Sequence, residues 1–363
     1  MKWDDSNERD SGIEGGGIRP SAHVVYVDKY EVYGAVDLLG EDTRNNVAEG
    51  WAGWRITDVF RLRGGLMRIP LGTEYATLEP DLPLAGYSFT SHLDGRTDVA
   101  VSIDGESRDG ALYGQAAHGF GHGFGLDGTE RTGPQTSLRL MARPARLFGG
   151  RGGFLDGFYM GGAYALLGDF EDPVVLLTPP GNTVFRTEEL NGSRGRFGHV
   201  DLGFAYGPVG LGLETVRGEA KNVPTLSGGR LDMDQMHAWT GTLAVSLTGE
   251  ERRWERGAWV APEPLRPWGA LEAALRYSNG DMDRALFDEG YTTYDPSTQE
   301  VRTFSAVLGW RPCAGLRIAF QWVRTIADDS LTVFGWPGGS RTMPRAGNDD
   351  RDSTFVMRFE FGF

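Results

Sequence analysis

STFVMRFEFGF, residues Ser353 to Phe363, closes the chain and decides its fold class. Counting back from Phe363, the alternate positions are Phe361, Phe359, Met357 and Phe355, and between them stand Gly362, Glu360, Arg358, Val356 and Thr354. On a β-strand successive side chains leave opposite faces, so this segment carries an aromatic row on one side and a mostly polar row on the other. A soluble protein would end there on an adhesive edge. An outer-membrane β-barrel has an apolar lipid face and a polar lumen, which the pattern suits.

The same alternation runs back along the chain. Leu316, Ile318, Phe320 and Trp322 face one way and Arg317, Ala319, Gln321 and Thr325 the other; Phe304, Ala306, Leu308 and Trp310 point outward and Ser305, Gly309 and Arg311 inward. Pro312 to Gly315 joins these two strands as a tight turn, and Gly207-Pro208 joins Val200/Leu202/Phe204/Tyr206 to Val209/Leu211/Leu213. Long polar connections at about 171–196, 279–300 and 327–352 lie at the other end. Short periplasmic turns alternating with long extracellular loops are the layout of an outer-membrane barrel. Further strands read near 17–27, 30–39, 46–56, 59–69, 97–105, 110–124, 136–144, 157–168, 235–247 and 268–278. That makes fifteen. Bacterial single-chain barrels have even numbers, so about sixteen antiparallel strands are expected, the missing one at the N-terminus, either lost with a truncation or within Met1 to Gly17. Residues 1–14 then form an N-terminal segment and 15–363 one all-β transmembrane domain. A soluble sandwich is disfavoured by the Trp and Phe carried throughout the outward rows.

Composition agrees. Glycine, at 54 of 363 residues, is about twice its usual share of ~7%, and no apolar run approaches the ~20 residues of a membrane helix. The single cysteine, Cys313, can form no intrachain disulfide. MKWDDSNERDSG at the start lacks the apolar core of a secretory signal, so the expectation is a mature or truncated form whose Met1 is not the native start. A net charge of −14, with no basic patch interleaved with aromatics, argues against nucleic acid as a partner.

Two elements carry a family resemblance. LTGE at Leu247 to Glu250, followed by Arg252-Arg253-Trp254 and then GALEAALRYS at Gly269 to Ser278, resembles the late segment of the phosphate- and pyrophosphate-selective porins O and P. GLMRIPLGTE at Gly65 to Glu74 resembles an early stretch of the same family. Together with the terminal strand these bracket residues 15–363. The resemblance implies a sixteen-stranded, usually trimeric outer-membrane channel with one long loop folded inward to narrow the pore, and Pro70 to Arg96 occupies that place. Gly119, Gly121, Gly123 and Gly125 fall on one face of a nearby strand and leave room for such a loop.

Selectivity in such a channel comes from the charges that line the lumen. Alternation turns Arg19, Arg61, Arg63, Arg139, Arg143, Arg276, Arg311, Arg317 and Arg358 inward, and the motif match adds Arg68. Of these, Arg61, Arg63, Arg68, Arg139, Arg143, Arg276, Arg317 and Arg358 are the candidate pore-lining and solute-binding residues, since the planar guanidinium donates paired hydrogen bonds to phosphate or carboxylate. The inward acids are Glu31, Asp37, Asp98, Asp104, Asp201, Glu214, Glu272 and Glu360. An alternative is a wall network, for instance Glu272 with Arg276. The family's lysine cluster cannot be reproduced by Lys2, Lys29 and Lys221, and the loop carries Glu74, Glu79, Asp81 and Asp94 against Arg96. Phosphate specificity is therefore not expected to carry over. The expected function is passive diffusion of small hydrophilic solutes, with anions as a possible preference, in a homotrimer surrounded by outer-membrane lipid and lipopolysaccharide. The alternative is a plugged barrel that docks a partner through its outer loops.

Other constellations read more simply. His118 and His122 share a row with Phe120 and Phe124, which suits an interfacial girdle rather than a metal site. Asn279 to Asp283 and Asn348 to Asp352 offer oxygens suited to calcium, but solvated loop charge is the preferred reading. No G-x-S-x-G elbow is present and no Ser–His–Asp set shares a face, so neither an enzyme nor a cofactor is expected.

Overall fold

The computed structural model describes residues 21–36, 47–126, 130–150, 153–179, 183–224, 229–292, 297–328 and 351–361. Its strands are β1 (Ser21–Tyr26), β2 (Tyr30–Val36), β3 (Val47–Arg55), β4 (Phe60–Arg68), β5 (Arg96–Glu106), β6 (Leu112–Gly125), β7 (Glu130–Arg131), β8 (Gln135–Ala142), β9 (Phe158–Phe170) and β10 (Val175–Leu177). They continue as β11 (Thr183–Arg186), β12 (Ser193–Tyr206), β13 (Val209–Pro224), β14 (Arg230–Ser246), β15 (Arg253–Glu255), β16 (Ala258–Val260), β17 (Ala270–Asp281), β18 (Glu300–Cys313), β19 (Leu316–Ala327) and β20 (Arg351–Phe361). Among the described residues no helix is long and apolar enough to cross a membrane.

One antiparallel sheet runs in chain order through β1, β2, β3, β4, β5, β6, β8, β9, β12, β13, β14, β17, β18, β19 and β20, with β7 paired to β6 alone. These fifteen are the strands that alternation predicts, one for one. The expected sixteenth, with Arg19, lies outside the described residues, as do Asp37 and the terminal Phe363. β1 and β20 are the two ends of the path.

Side chains divide as the pleat requires. On β18, Phe304, Leu308 and Trp310 are exposed while Thr303, Ser305 and Arg311 are buried; on β20, Phe355, Met357 and Phe359 are exposed and Glu360 is buried. Val99, Val101 and Ile103, Leu138 and Leu140, and Leu211 and Leu213 extend the exposed apolar face across the sheet. So wide an apolar surface is far beyond what soluble monomers carry, and it is what a lipid-facing wall requires.

The segment from Ile69 to Gly95 lies against the other face. It holds helix α1 (Thr73–Ala76), a 3-10 turn at Glu79–Asp81 and helix α2 (Phe89–Asp94). Its groups contact β8, β13, β17, β18, β19 and β20, so the sheet curls around it. The expected inward loop is therefore formed as a strap with both apolar and polar anchors. At its root, a Cβ on Gly119 would stand 2.6 Å from Ile69, so glycine there permits the close approach. The four glycines do not keep one even row, however. Gly121 takes φ +82 and the register slips so that Ala100 faces Gly119 while Asp98 faces Gly123. The Asp98 carboxylate caps this irregularity, accepting from the amides of Gly121 and His122 at 3.0 and 2.8 Å.

Two hairpins that alternation did not resolve also fold inward. β10–β11, in the connection expected to be a solvated loop, joins a buried cluster that includes Phe89, Leu93, Leu176, Phe185, Met282 and Leu286. β15–β16 enters from the short-turn end, and Trp254 and Trp259 pack with Tyr113, Met141 and Tyr159. Asn279, Gly280 and Asp281 belong to β17, not to a solvated tip, and Met282 beside them is buried.

Candidate functional site

The inner face is a field of arginine–carboxylate pairs, and most of the predicted arginines are committed within it. Arg317 donates to Glu272 at 2.6 Å, to Glu360 at 3.1 Å and to the Pro83 carbonyl at 2.5 Å. Arg252 and Arg311 also pair with Glu272, at 2.7 and 3.4 Å. Arg276 reaches across to the strap, donating to Glu74 at 2.5 Å and to the Gly86 carbonyl at 3.0 Å. The anticipated Glu272–Arg276 pair does not form, because the strap supplies Arg276 with a nearer carboxylate and Glu272 is already shared by three guanidiniums. Arg139 donates to Asp201 at 3.1 Å, to Thr73 at 2.8 Å and to the Gly257 carbonyl at 2.9 Å. Arg358 pairs with Glu79 of the strap. Arg143 lies beyond the end of β8, not on the wall, and donates to the Trp254 carbonyl of the inner hairpin. Its strand stops at Ala142 because Pro144 opens a helical turn there.

Within the strap, Glu74 is the hub. One carboxylate oxygen accepts from Arg276, and the other accepts from Ser91 at 2.7 Å, from the Ser88 amide at 2.8 Å and from the Ser88 hydroxyl. The strap is thus built around the same charge that anchors it to the wall. Burial pushes the Asp81 carboxyl up to about 6, opposed by the neighbouring Arg311. Burial likewise raises Asp94, against the pull of His199.

A different arrangement holds on β2 to β5. Arg55 and Arg61 meet Glu31 at 2.5 and 3.0 Å, and Arg61, Arg63 and Arg256 meet Asp104 at 3.1, 3.2 and 3.2 Å. Four guanidiniums share two carboxylates. The side chains of Glu31 and Asp104 are 0% exposed, whereas those of Arg55, Arg61, Arg63 and Arg256 are 38, 14, 15 and 32% exposed. Acid stands behind and base stands in front. Arg63 lies 5.3 Å over the Trp51 ring, which stacks on Tyr33 at 5.6 Å. Arg68 continues the strip with Glu49 at 2.5 Å and Tyr87 of the strap at 2.5 Å.

Arg55, Arg252, Arg256 and His199 are inner-face groups that sequence reasoning missed. Arg55 was within a strand already recognised, and its alternation with Gly53 and Glu31's partner strand was the available signal. Arg256 required the β15–β16 turn, where Arg256 and Gly257 take φ +47 and +74. The fragment RWERGAWV, two short apolar alternations about a Gly, carried that signal.

An apolar outer face, an ion-paired inner face and an inward strap define the class: the fold is that of the outer-membrane proteins of Gram-negative bacteria. In particular, the chain is similar to OmpT of Vibrio cholerae, an outer membrane protein in its in-vitro folded trimer form, at 13% identity and a TM-score of 0.50, covering 98% of this chain and 94% of that one. An anion-selective porin from Comamonas acidovorans aligns at 10% identity and a TM-score of 0.49 over 87% of this chain and 81% of that one. The outer membrane channel DcaP of Acinetobacter baumannii aligns at 10% and 0.49, over 93% and 82%. No protein-family model and no curated protein matches the chain by sequence.

Proposed function

We propose that this protein is an outer-membrane porin that passes small hydrophilic solutes passively and prefers anions. Residues 15–363 form one closed barrel of about sixteen strands, assembled as a homotrimer in outer-membrane lipid and lipopolysaccharide. Passage runs along the face of β1 to β5, because the strap and the β15–β16 hairpin fill the side lined by β8 to β20. The observation that carries the reading is the inner-face strip of Arg55, Arg61, Arg63 and Arg256, whose guanidiniums stand in front of more deeply buried carboxylates. A permeating anion meets the arginines first, and their excess over Glu31 and Asp104 leaves unspent positive charge. Arg68 extends the strip. Arg139, Arg276, Arg317 and Arg358 hold strap to wall, and Arg143 holds the inner hairpin. The kinship with the porins O and P rests on GLMRIPLGTE and LTGE; without the lysine cluster, phosphate is one permeant anion among several.

The test is single-channel conductance and reversal potential in a planar bilayer under a potassium chloride gradient, for the wild type and for R61Q/R63Q. An anion-selective reversal potential that moves toward cation preference in the variant supports the reading. A cation-selective wild type refutes the anion preference. One observation favours a second reading, the occluded docking barrel: the Trp259 amide of the inner hairpin donates to Thr77 of the strap at 3.0 Å, so the two inserts meet inside the sheet. Absence of conductance in protein shown to be inserted would select that reading.

A further inference from the structure

We propose that His199, Asp201 and Glu214 form a binding site for one zinc ion beneath the strap. His199 and Asp201 alternate on β12, and Asp201 stands directly opposite Glu214 of β13, so the pleat delivers all three to the inner face. His199 Nε2 lies 2.9 Å from Asp201 Oδ1 and 3.3 Å from Glu214 Oε2. All three atoms are buried, and among the described residues none of them has a hydrogen-bond partner outside the cluster. Zinc bonds of about 2.0–2.2 Å at tetrahedral angles place ligand atoms roughly 3.3–3.6 Å apart. A few tenths of an ångström of opening fits the ion.

The outer shell is already in place. The His199 Nδ1–H donates to Asp94 Oδ2 at 2.6 Å, which leaves the Nε2 lone pair facing the carboxylates. Asp201 Oδ2 accepts from Arg139 at 3.1 Å, and Glu214 Oε1 accepts from the Glu74 amide at 2.8 Å. Each ligand thus keeps its outer atom on a partner and turns its inner atom to a common point. Gly72 of the strap closes that point: a Cβ there would come within 2.4 Å of Glu214 Oε2 and 2.6 Å of His199 Nε2, so the space beside those two atoms is kept free by the absence of a side chain. With His199 neutral as a ligand, Asp94, Asp201 and Glu214 meet Arg139 as the cation at this locus among the described residues. A divalent ion offsets the remaining negative charge, and an imidazole among the ligands favours zinc over calcium or magnesium. The bound ion would tie β12 and β13 to the strap through Asp94 and Glu74. None of this depends on whether the barrel conducts.

The test uses full-length protein folded in detergent, stripped with EDTA, then dialysed against micromolar zinc chloride and assayed for metal by mass spectrometry. One zinc per chain is expected, with affinity at least about 100-fold weaker in H199Q and about 10–100-fold weaker in D94N. A wild type that retains no zinc overturns the proposal, and so does H199Q retaining it unchanged; the cluster is then a proton-bridged ion network. Zinc K-edge absorption on the loaded wild type decides the matter if H199Q does not fold. One imidazole with two carboxylates supports the site, and an all-oxygen or several-imidazole shell overturns it.

Discussion

Arginine does two jobs on the inner face, and partner geometry separates them. Glu272 is buried among Arg252, Arg311 and Arg317, so those guanidiniums are spent on the wall, and Arg311 and Arg317 also tie it to the strap carbonyls of Pro80 and Pro83. Removing one member of such a group strands a buried charge, a loss of ~3–5 kcal/mol. Arg256 differs, since it presents its cation at the tip of a turn whose left-handed backbone an arginine occupies at a cost of about 1 kcal/mol or more. Asparagine tolerates that conformation better. R256N is therefore expected to preserve or raise stability to urea in detergent while shifting the reversal potential away from anion preference; a loss of stability with unchanged selectivity would show that Arg256 is a structural clamp on Asp104.

At the scale of the element, the strap from Ile69 to Gly95 behaves as a small folded unit centred on Glu74. Its weak point is Asp81, whose carboxyl burial pushes up to about 6. In the unfolded chain the same group titrates near ~3.9. The folded protein therefore binds the extra proton between those values, so this contribution to stability is fully present below about pH 4, declines as pH rises, and is lost above about pH 6. D81N removes that loss. Its stability gain over the wild type, read from urea unfolding in detergent, should be near zero below pH 4 and reach at most about 3 kcal/mol above pH 6. A gain independent of pH would place the effect elsewhere. The β15–β16 hairpin is the strap's counterpart from the opposite end, and the LTGE turn before it is explained by its own bonds: the Leu271 amide donates to the Thr248 hydroxyl at 2.9 Å, and that hydroxyl in turn donates to Glu250.

For the whole molecule, the decisive property is that the apolar side of the sheet faces away from the contents. Leu308 illustrates it, being in the middle of β18 and exposed. In a bilayer, L308R should cost ~2–4 kcal/mol in refolding into lipid vesicles. At an exposed position of a water-soluble protein the same change falls within about ±0.5 kcal/mol, so a small effect would contradict a lipid-facing wall.

The amino-acid sequence by itself determined the fifteen strands and their facing, because a period-two pattern is local and each strand states it independently; the inward strap was an expectation of the family resemblance, not of that pattern. Phe355, Met357 and Phe359 outside with Glu360 inside required no partner to be known. Which arginine meets which acid was decided only by tertiary structure, since Arg276 finds Glu74 some two hundred residues away and Glu272 gathers three cations from three places. The half-buried arginine strip and the His199 cluster belong to the same category. They depend on strand register, on the left-handed turn at Arg256 and on what the strap covers, and none of these is written in a local pattern.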